Sequence, residues 1–510
     1  MASATASPAA PSTSSFHDNW LADPRTNVVS GLVVALALIP EAISFSIIAG
    51  VSPTVGLYAS FSIAIIISFA GGRPGMISAA TGAMALVAKP LIEEFADDPV
   101  LGLGMLFAAT ILAGILQFLL GLLGIGSLMR FVPRTVMVGF VNALAILIFL
   151  AQIPHILNDE GNGEYIPLIL LFVALGLAVI YLLPRLTTVI PSPLVAIAGL
   201  TAVAVVMNLE LPTVGDLGEL PSALPWVALP EVPFTIDTLQ TILPFSISLA
   251  LVGLLESLLT AQMLDDMTDT DSDKNMEARG QGIANVATGF LGGMAGCAMI
   301  GQSMINHSQG GRTRLSTLAS GVFLLILVLV LGDVMAVVPM AALVAVMVMV
   351  SIGTFNWRSI SPDTIKSLPR TETIVMAVTV AVVVITHDLS YGVGAGILLS
   401  AIFFVRHVSH VVNVTSVVDS DNHERLYDVS GELFFASTND LVHAFDYDSV
   451  KMDRVEIDLS NARIWDTSAV AALDAVEAKF AERGIEAHFI GLNRHAERLH
   501  SRATGKLSAH

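Results

Sequence analysis

The sequence predicts a polytopic α-helical membrane protein, fourteen segments in two inverted sets of seven, followed by a small cytoplasmic α/β domain. Three observations carry this. Of 510 residues, 54% are hydrophobic and only 13% charged, with a mean hydropathy of +0.76; a soluble domain carries about 25% charged residues. Apolar stretches recur up to residue 412 and then stop. And one glycine-rich stretch, Gly71-Gly-Arg-Pro-Gly-Met-Ile-Ser-Ala-Ala-Thr-Gly-Ala-Met-Ala-Leu-Val87, returns later as Gly292-Gly-Met-Ala-Gly-Cys-Ala-Met-Ile-Gly-Gln-Ser-Met-Ile305. A net charge of -19 and a pI near 4.9 argue against a nucleic-acid partner.

Residues 1–24 are rich in Ser, Ala, Thr and Pro, with no basic stretch leading into an apolar run. They read as a disordered cytoplasmic tail, not a signal peptide, so the first apolar span stays in the protein. Apolar spans follow at about 28–49, 54–70, 77–87, 101–123, 136–151, 166–183 and 194–206. A polar, Pro-rich stretch over 208–238 separates these from a second set at 239–263, 283–291, 298–307, 315–331, 334–352, 373–386 and 391–412. The repeats therefore cover about 25–208 and 239–412.

Charge tests this count. With the N-terminus inside, Arg25, Arg73, Arg130, Arg134, Arg185, Lys274, Arg279, Arg312, Arg314, Arg358, Lys366, Arg370 and Arg406 all fall on the cytoplasmic side, and Lys89 alone falls outside. That is the asymmetry the positive-inside rule demands, and it places both termini in the cytoplasm. An odd number of segments per half makes the halves inverted, and sets the glycine echo at the third segment of each.

The two echo segments are too short to cross a bilayer, which takes about 20 apolar residues. Superposed on their glycines, they set Gly71, Gly72 and Gly75 on Gly292, Gly293 and Gly296, and Thr81 on Gln302. Paired, glycine-interrupted segments in the two halves point to a transporter binding site. A helix that starts inside the membrane leaves free N–H groups and a partial positive charge at its N-terminus, and two such ends can hold an anion. Ser78 and Thr81 in one half, and Gln302 and Ser303 in the other, supply side-chain groups beside those ends.

Glu256 is an acid in the middle of an apolar span, where insertion costs on the order of 2.5–3.5 kcal/mol, so it is expected to face a cavity or ion path and to carry a proton. Thr260 lies one turn along on the same face. Glu41 follows Pro40, which frees a backbone carbonyl and kinks its helix, and is a second candidate to line the cavity. Cys297, the one cysteine, excludes an internal disulfide and reads as a small buried residue at a crowded junction. The acidic run over 265–273 lacks the glycine and distal glutamate of a calcium loop and reads as a solvated cytoplasmic loop. His307 and His387 read as interfacial.

Beyond residue 418 the chain carries ten Lys or Arg and seventeen Asp or Glu, so it is soluble. Val455-Glu-Ile-Asp-Leu459 alternates like a half-buried strand, 485–490 reads as another, and 468–483 has the apolar period of a helix closed by Gly484.

These residues resemble the SulP family of inorganic anion transporters, and look most similar to bacterial members labelled as sulfate transporters. The resemblance runs from Leu36-Ala-Leu-Ile-Pro-Glu-Ala-Ile-Ser-Phe45 and Val51-Ser-Pro-Thr-Val-Gly-Leu-Tyr58 through Leu255-Glu-Ser-Leu-Leu-Thr260, Asp273-Lys-Asn-Met-Glu-Ala-Arg279 and the stretch 292–311. It implies a core domain of segments 1–4 and 8–11 and a gate domain of the rest. The anion would lie between segments 3 and 10, against Ser78, Ala79, Ala80, Thr81, Met299, Ile300, Gln302 and Ser303, with Glu256, Thr260 and Glu41 in coupling. The tail, 419–510, resembles a STAS domain. Asp466-Thr-Ser-Ala469 matches its loop before a helix, which makes Thr467 or Ser468 a regulatory phosphorylation candidate. Relatives that couple to sodium have an aspartate where Glu256 stands and a threonine near Ile300, so proton coupling is expected instead. Gln302 stands where many relatives have an arginine.

The expected function is secondary active transport of a small inorganic anion, sulfate or bicarbonate, with protons, in the cell's inner membrane. A C4-dicarboxylate symporter, a passive anion channel and a membrane-tethered STAS signalling module are the alternatives. No enzyme activity, cofactor or metal is expected. The expected partners are the bilayer, a second copy of the chain by family resemblance, and a cytoplasmic protein on the STAS domain.

Overall fold

Prolines and short polar caps set where the helices begin. Pro24, Pro53 and Pro99 open three of them, at positions whose N–H has no acceptor in any case. Asp23, Asp98, Thr235 and Asp273 accept from the first-turn amides of theirs. The computed structural model describes residues 20–126, 132–157, 166–187, 191–218, 220–221, 223–409, 412–418, 425–448, 450, 453–492 and 496–498. The N-terminal tail expected over 1–24 lies outside the described residues as far as residue 19.

The first half runs α1 (Pro24–Ala49), α2 (Pro53–Ala70), β1 (Ser78–Ala80), α3 (Gly82–Glu94), α4 (Pro99–Leu122), α5 (Arg134–Leu150), α6 (Ile166–Leu182) and α7 (Ser192–Val206). The second repeats the order: α8 (Ile236–Thr268), α9 (Lys274–Phe290), β2 (Gly296–Ala298), α10 (Ile300–Ser308), α11 (Arg314–Ala336), α12 (Met340–Thr354), α13 (Arg370–Thr386) and α14 (Leu389–Ser409). Eight of the described helices are long and apolar enough to cross a membrane. In each half the third segment is a three-residue strand followed by a short helix.

The helices sort into two packed groups. α9 lies on α4 and α2, α11 on α1 and α2, and α8 on α4; separately, α13 packs on α5, and α12 on α6 and α5. Small residues permit the closest approaches. A Cβ on Gly282 would come within 2.5 Å of the Phe118 amide of α4, and one on Gly31 within 2.6 Å of the Ser316 carbonyl of α11.

Three expectations need correction. α9 starts at Lys274, not near 283, because its first half is polar yet faces protein: Glu277, Gln281 and Asn285 are all buried. The break after α11 falls at 337–339, not at 332–333, since Pro339 cannot continue a helix. And the acidic run is not wholly a solvated loop. Asp265 lies inside α8, 4% exposed, in an ion pair with Arg73 at 3.0 Å and a second with Lys274. Arg73 also donates to the Leu264 carbonyl and the Thr268 hydroxyl, while its own amide and that of Gly72 donate to Glu277. The network ties the turn before β1 to α8 and α9. Removing one partner of a buried pair strands the other charge, at about 3–5 kcal/mol. Asp265→Ala is therefore expected to lower the thermal unfolding midpoint in detergent, and Arg73→Met combined with Asp265→Leu to recover part of the loss.

The chain divides into two compact units, 1–396 and 397–510. In the second, β3 (Asn413–Val418), β4 (Arg425–Leu433), β5 (Arg454–Ile464) and β6 (Glu486–Ile490) form one sheet in that order, antiparallel at the first pairing and parallel at the next two. A short helix α15 (Thr438–His443) and the longer α16 (Thr467–Ala481) follow β4 and β5. Val455, Ile457, Leu473, Val476 and Phe480 fill the core with Tyr427, as the alternation and the helical period predict.

Candidate functional site

β1 and β2 pair antiparallel about Ala79 and Cys297, with Ser78 opposite Ala298 and Ala80 opposite Gly296. Each strand runs straight into a helix, α3 at Gly82 and α10 at Ile300. The two helix starts thus face opposite ways from one three-residue ribbon, their N-caps Thr81 and Met299 about 13 Å apart along it at a strand rise of about 3.3 Å per residue.

Breaking two helices inside a membrane leaves backbone groups that must be satisfied by protein. Here polar side chains of neighbouring helices do it. Asn285 accepts from the Gly296 amide at 2.9 Å, and Gln281 donates to the Gly296 carbonyl at 2.9 Å. Ser257 accepts from the Ala298 amide, Ser60 from that of Ala80, and Ser303 from that of Ile77. The Met299 amide donates to the Ile77 carbonyl at 2.9 Å. Gly296 must lack a side chain, because a Cβ there would overlap the Ala79 carbonyl.

The register corrects the superposition on glycines. Centring the two halves on the pair Ala79 and Cys297 makes Thr81 the counterpart of Met299, both being N-caps, and Met84 the counterpart of Gln302. The matched glycines differ in kind: Gly75 is a turn residue at φ 73°, whereas Gly296 is the first residue of a strand. Two residues therefore separate glycine from strand in one half and none in the other.

The two helix starts are unequal. Thr81 caps α3, accepting from the Met84 amide at 3.3 Å, and a Cβ on Gly82 would press on Ile148 and Phe45. Met299 offers α10 no side-chain cap. The first amides of α10, on Ile300, Gly301 and Gln302, have no acceptor within their helix. Gly301 is exposed, and a Cβ there would meet nothing within 4 Å. An uncapped helix N-terminus with open space before it is what an anion requires.

Two acids reach the interrupted segments, one from the first helix of each half: Glu41 crosses to the segment of the other half, and Glu256 touches both. Glu41 of α1 accepts from Gln302 of α10 at 2.8 Å. Glu256 of α8 accepts from the Cys297 thiol of β2 at 2.8 Å and the Thr81 hydroxyl at 3.5 Å. Both acids are buried, and among the described residues neither has an ion-pair partner. Pro40 lies inside α1 beside Glu41.

Of the other residues singled out from sequence, Ser78 is buried with a hydroxyl that makes no hydrogen bond, and Ala79 and Ala80 are wholly covered. Ile300 is part-exposed, and the Oε1 of Gln302 has no partner. Thr260 turns its hydroxyl onto the Glu256 carbonyl of its own helix at 2.8 Å, so it braces α8 without reaching the helix starts. His307 is half-buried at the far end of α10 and His387 exposed. In the second unit, Asp466 caps α16 by accepting from the Ala469 amide at 2.9 Å, with Thr467 exposed and Ser468 half-buried. Sequence reading missed Cys297 as a partner of Glu256 and Gly301 as the open position. Their places just before and just inside the second helix start were the available signal.

Residues 25–379 match the model of the sulfate permease family, and 415–506 that of the STAS domain. The chain is 57% identical over 480 residues to the candidate sulfate transporter YbaR of Bacillus subtilis (strain 168), covering 94% of this chain and 97% of that one. It is 28% identical over 424 residues to the bicarbonate transporter BicA of Picosynechococcus (79% and 74% covered). Among solved structures, the transmembrane domain of a cyanobacterial BicA superposes with a TM-score of 0.65 at 27% identity, over 74% of this chain and 98% of that chain. The murine anion transporter Slc26a9 in its inward-facing state shares the fold, with a TM-score of 0.80 at 16% identity, over 95% and 88%. The chain belongs to the sulfate permease family, a family of transporters, and carries a STAS domain after its membrane helices.

Proposed function

We propose that the protein is a secondary active transporter that holds a small inorganic anion, sulfate or bicarbonate, between the starts of α3 and α10, and moves it together with a proton. The observation that carries this is the uncapped start of α10, with open space before Gly301. The anion takes the amides of Ile300, Gly301 and Gln302 from one side and those of Gly82 and Ala83 from the other, with Ser78, Ala79, Ala80, Thr81, Met299 and Ser303 framing the site. The names of YbaR and BicA support this substrate class.

Transport follows from relative movement of the two helix groups, α1–α4 with α8–α11 against α5–α7 with α12–α14. Glu256, and next to it in rank Glu41, carry the coupling proton. Sodium coupling is disfavoured at Ile300, whose side chain has no oxygen to offer. Both termini lie in the cytoplasm, with the domain over 25–412 in the inner membrane as a dimer. The STAS domain, 419–510, serves regulation through Thr467 or Ser468 and a cytoplasmic partner.

Uptake of labelled sulfate, bicarbonate and succinate by reconstituted vesicles separates the readings. Uphill accumulation of sulfate or bicarbonate supports the proposal, and accumulation of succinate alone assigns a dicarboxylate carrier. Downhill flux alone assigns a channel. No flux for any anion leaves a membrane-tethered signalling module.

A further inference from the structure

Between α7 and α8, within the stretch over 208–238 that reads as a polar linker, the chain carries an apolar run. Residues 223–235 read Ala-Leu-Pro-Trp-Val-Ala-Leu-Pro-Glu-Val-Pro-Phe-Thr, with Glu231 the one charge. They lie flat on the group that holds the candidate site. The Tyr58 hydroxyl of α2 donates to the Ala223 carbonyl at 2.9 Å, and the Ala228 amide donates to the Phe290 carbonyl of α9 at 2.9 Å. Gly104 of α4 leaves room for the Glu231 carbonyl, which a Cβ would approach to 2.6 Å. Having docked, the segment still turns its largest apolar side chains outward: Trp226 is 87% exposed, Val227 77%, Leu229 69% and Phe234 82%.

We propose that residues 223–235 are a membrane strap, seated in the headgroup–acyl boundary of the leaflet on that side, with Trp226, Val227, Leu229 and Phe234 inserted among the lipids. Continuity with the helices argues for lipid as the occupant. The strap runs directly into α8, and an apolar groove of about 380 Å³ continues from Phe234 and Leu229 down Ile111, Leu112 and Ile115 of α4 and Leu239 of α8. Depth follows from the backbone. Gly104 lies five residues inside α4, about 8 Å along the helix axis from its start. Pro225, Pro230 and Pro233 have no N–H to satisfy, Ala228 donates to the Phe290 carbonyl of α9, and Val232 and Thr235 donate to the strap's own Pro230 and Pro233 carbonyls. The remaining strap amides need water, which the hydrocarbon interior does not supply and the boundary does. Tryptophan concentrates at that depth, where its ring is solvated by both phases. Because its anchors lie on α2, α4 and α9, the strap holds that helix group to the leaflet.

The test uses the full chain in phospholipid vesicles, with Trp226 as the sole tryptophan after Trp20→Phe, Trp357→Phe and Trp465→Phe. Brominated acyl chains are expected to quench its emission about twofold, with iodide in the water quenching it several-fold less than free tryptophan. If the triple variant fails to fold, the difference in emission between wild type and Trp226→Phe reports the same residue. Full iodide access without bromolipid quenching would overturn the strap. So would shielding from both quenchers that disappears on dilution in detergent, because a second copy of the chain would then be the occupant.

Discussion

Gly301→Leu is expected to weaken anion binding by at least about tenfold while leaving the protein folded. Two physical facts separate these outcomes. Gly301 is the second residue of α10, exposed, with no atom within 4 Å of where a Cβ would stand. A larger side chain therefore displaces no protein, and replacing a helical glycine gains roughly 0.5–1 kcal/mol of helix propensity. The same side chain would occupy the space before the free amides, where the proposed anion would sit. Binding measured by calorimetry or by anion-induced thermal stabilisation should weaken by at least about tenfold, which is 1.4 kcal/mol, with an unfolding midpoint equal to wild type or higher. Gly199 and Gly353 are the controls. They too are exposed helical glycines with nothing within 4 Å, on α7 and α12 away from the ribbon. Leucine at either should leave binding unchanged. Retained binding in Gly301→Leu would remove the anion from the start of α10.

Glu256→Gln is expected to uncouple transport without emptying the site. The carboxylate accepts from Cys297 and Thr81, one group on each interrupted segment, and an amide oxygen can accept the same two bonds. What glutamine cannot do is release a proton. An anion and a carboxylate brought together in a low-dielectric site repel strongly, so on the proposed reading the anion would bind best when Glu256 carries its proton, and by reciprocity the two would bind together. In the variant, anion binding should persist and vary less with pH, downhill exchange should continue, and accumulation driven by a pH gradient should fall to the equilibrium level. A purely structural role predicts instead that the variant unfolds or binds nothing at any pH. Wild-type accumulation in Glu256→Gln would transfer the role to Glu41, whose partner Gln302 sits in the first turn of α10.

Much of this arrangement was legible because hydropathy and charge report burial in lipid directly. Both interrupted segments, the inverted order and the two acids follow from apolar runs, glycine and the cost of a charge in the membrane. What hydropathy could not show is polar surface buried against protein. The first half of α9 reads as loop because Glu277, Gln281 and Asn285 suit water equally well, yet they satisfy the broken backbone around Gly72 and Gly296. Asp265 reads as solvated for the same reason, its ion-pair partner Arg73 being nearly two hundred residues away in sequence (73 against 265). The echo was visible but its register was not. Glycines mark both turns and close contacts, and only the pairing of Ala79 with Cys297 distinguishes Gly75 from Gly296. Gly301, the residue on which the site turns, gave no signal of its own: a glycine is as silent facing a cavity as facing lipid.

The most direct test of the central claim is anion uptake by the purified full-length protein in sealed vesicles with an alkaline interior. Labelled sulfate or bicarbonate should accumulate above its external concentration in wild type, collapse when the pH gradient is dissipated, and be absent in Gly301→Leu. Accumulation that survives in Gly301→Leu, or that ignores the gradient, would contradict an anion held at the start of α10 and carried with a proton.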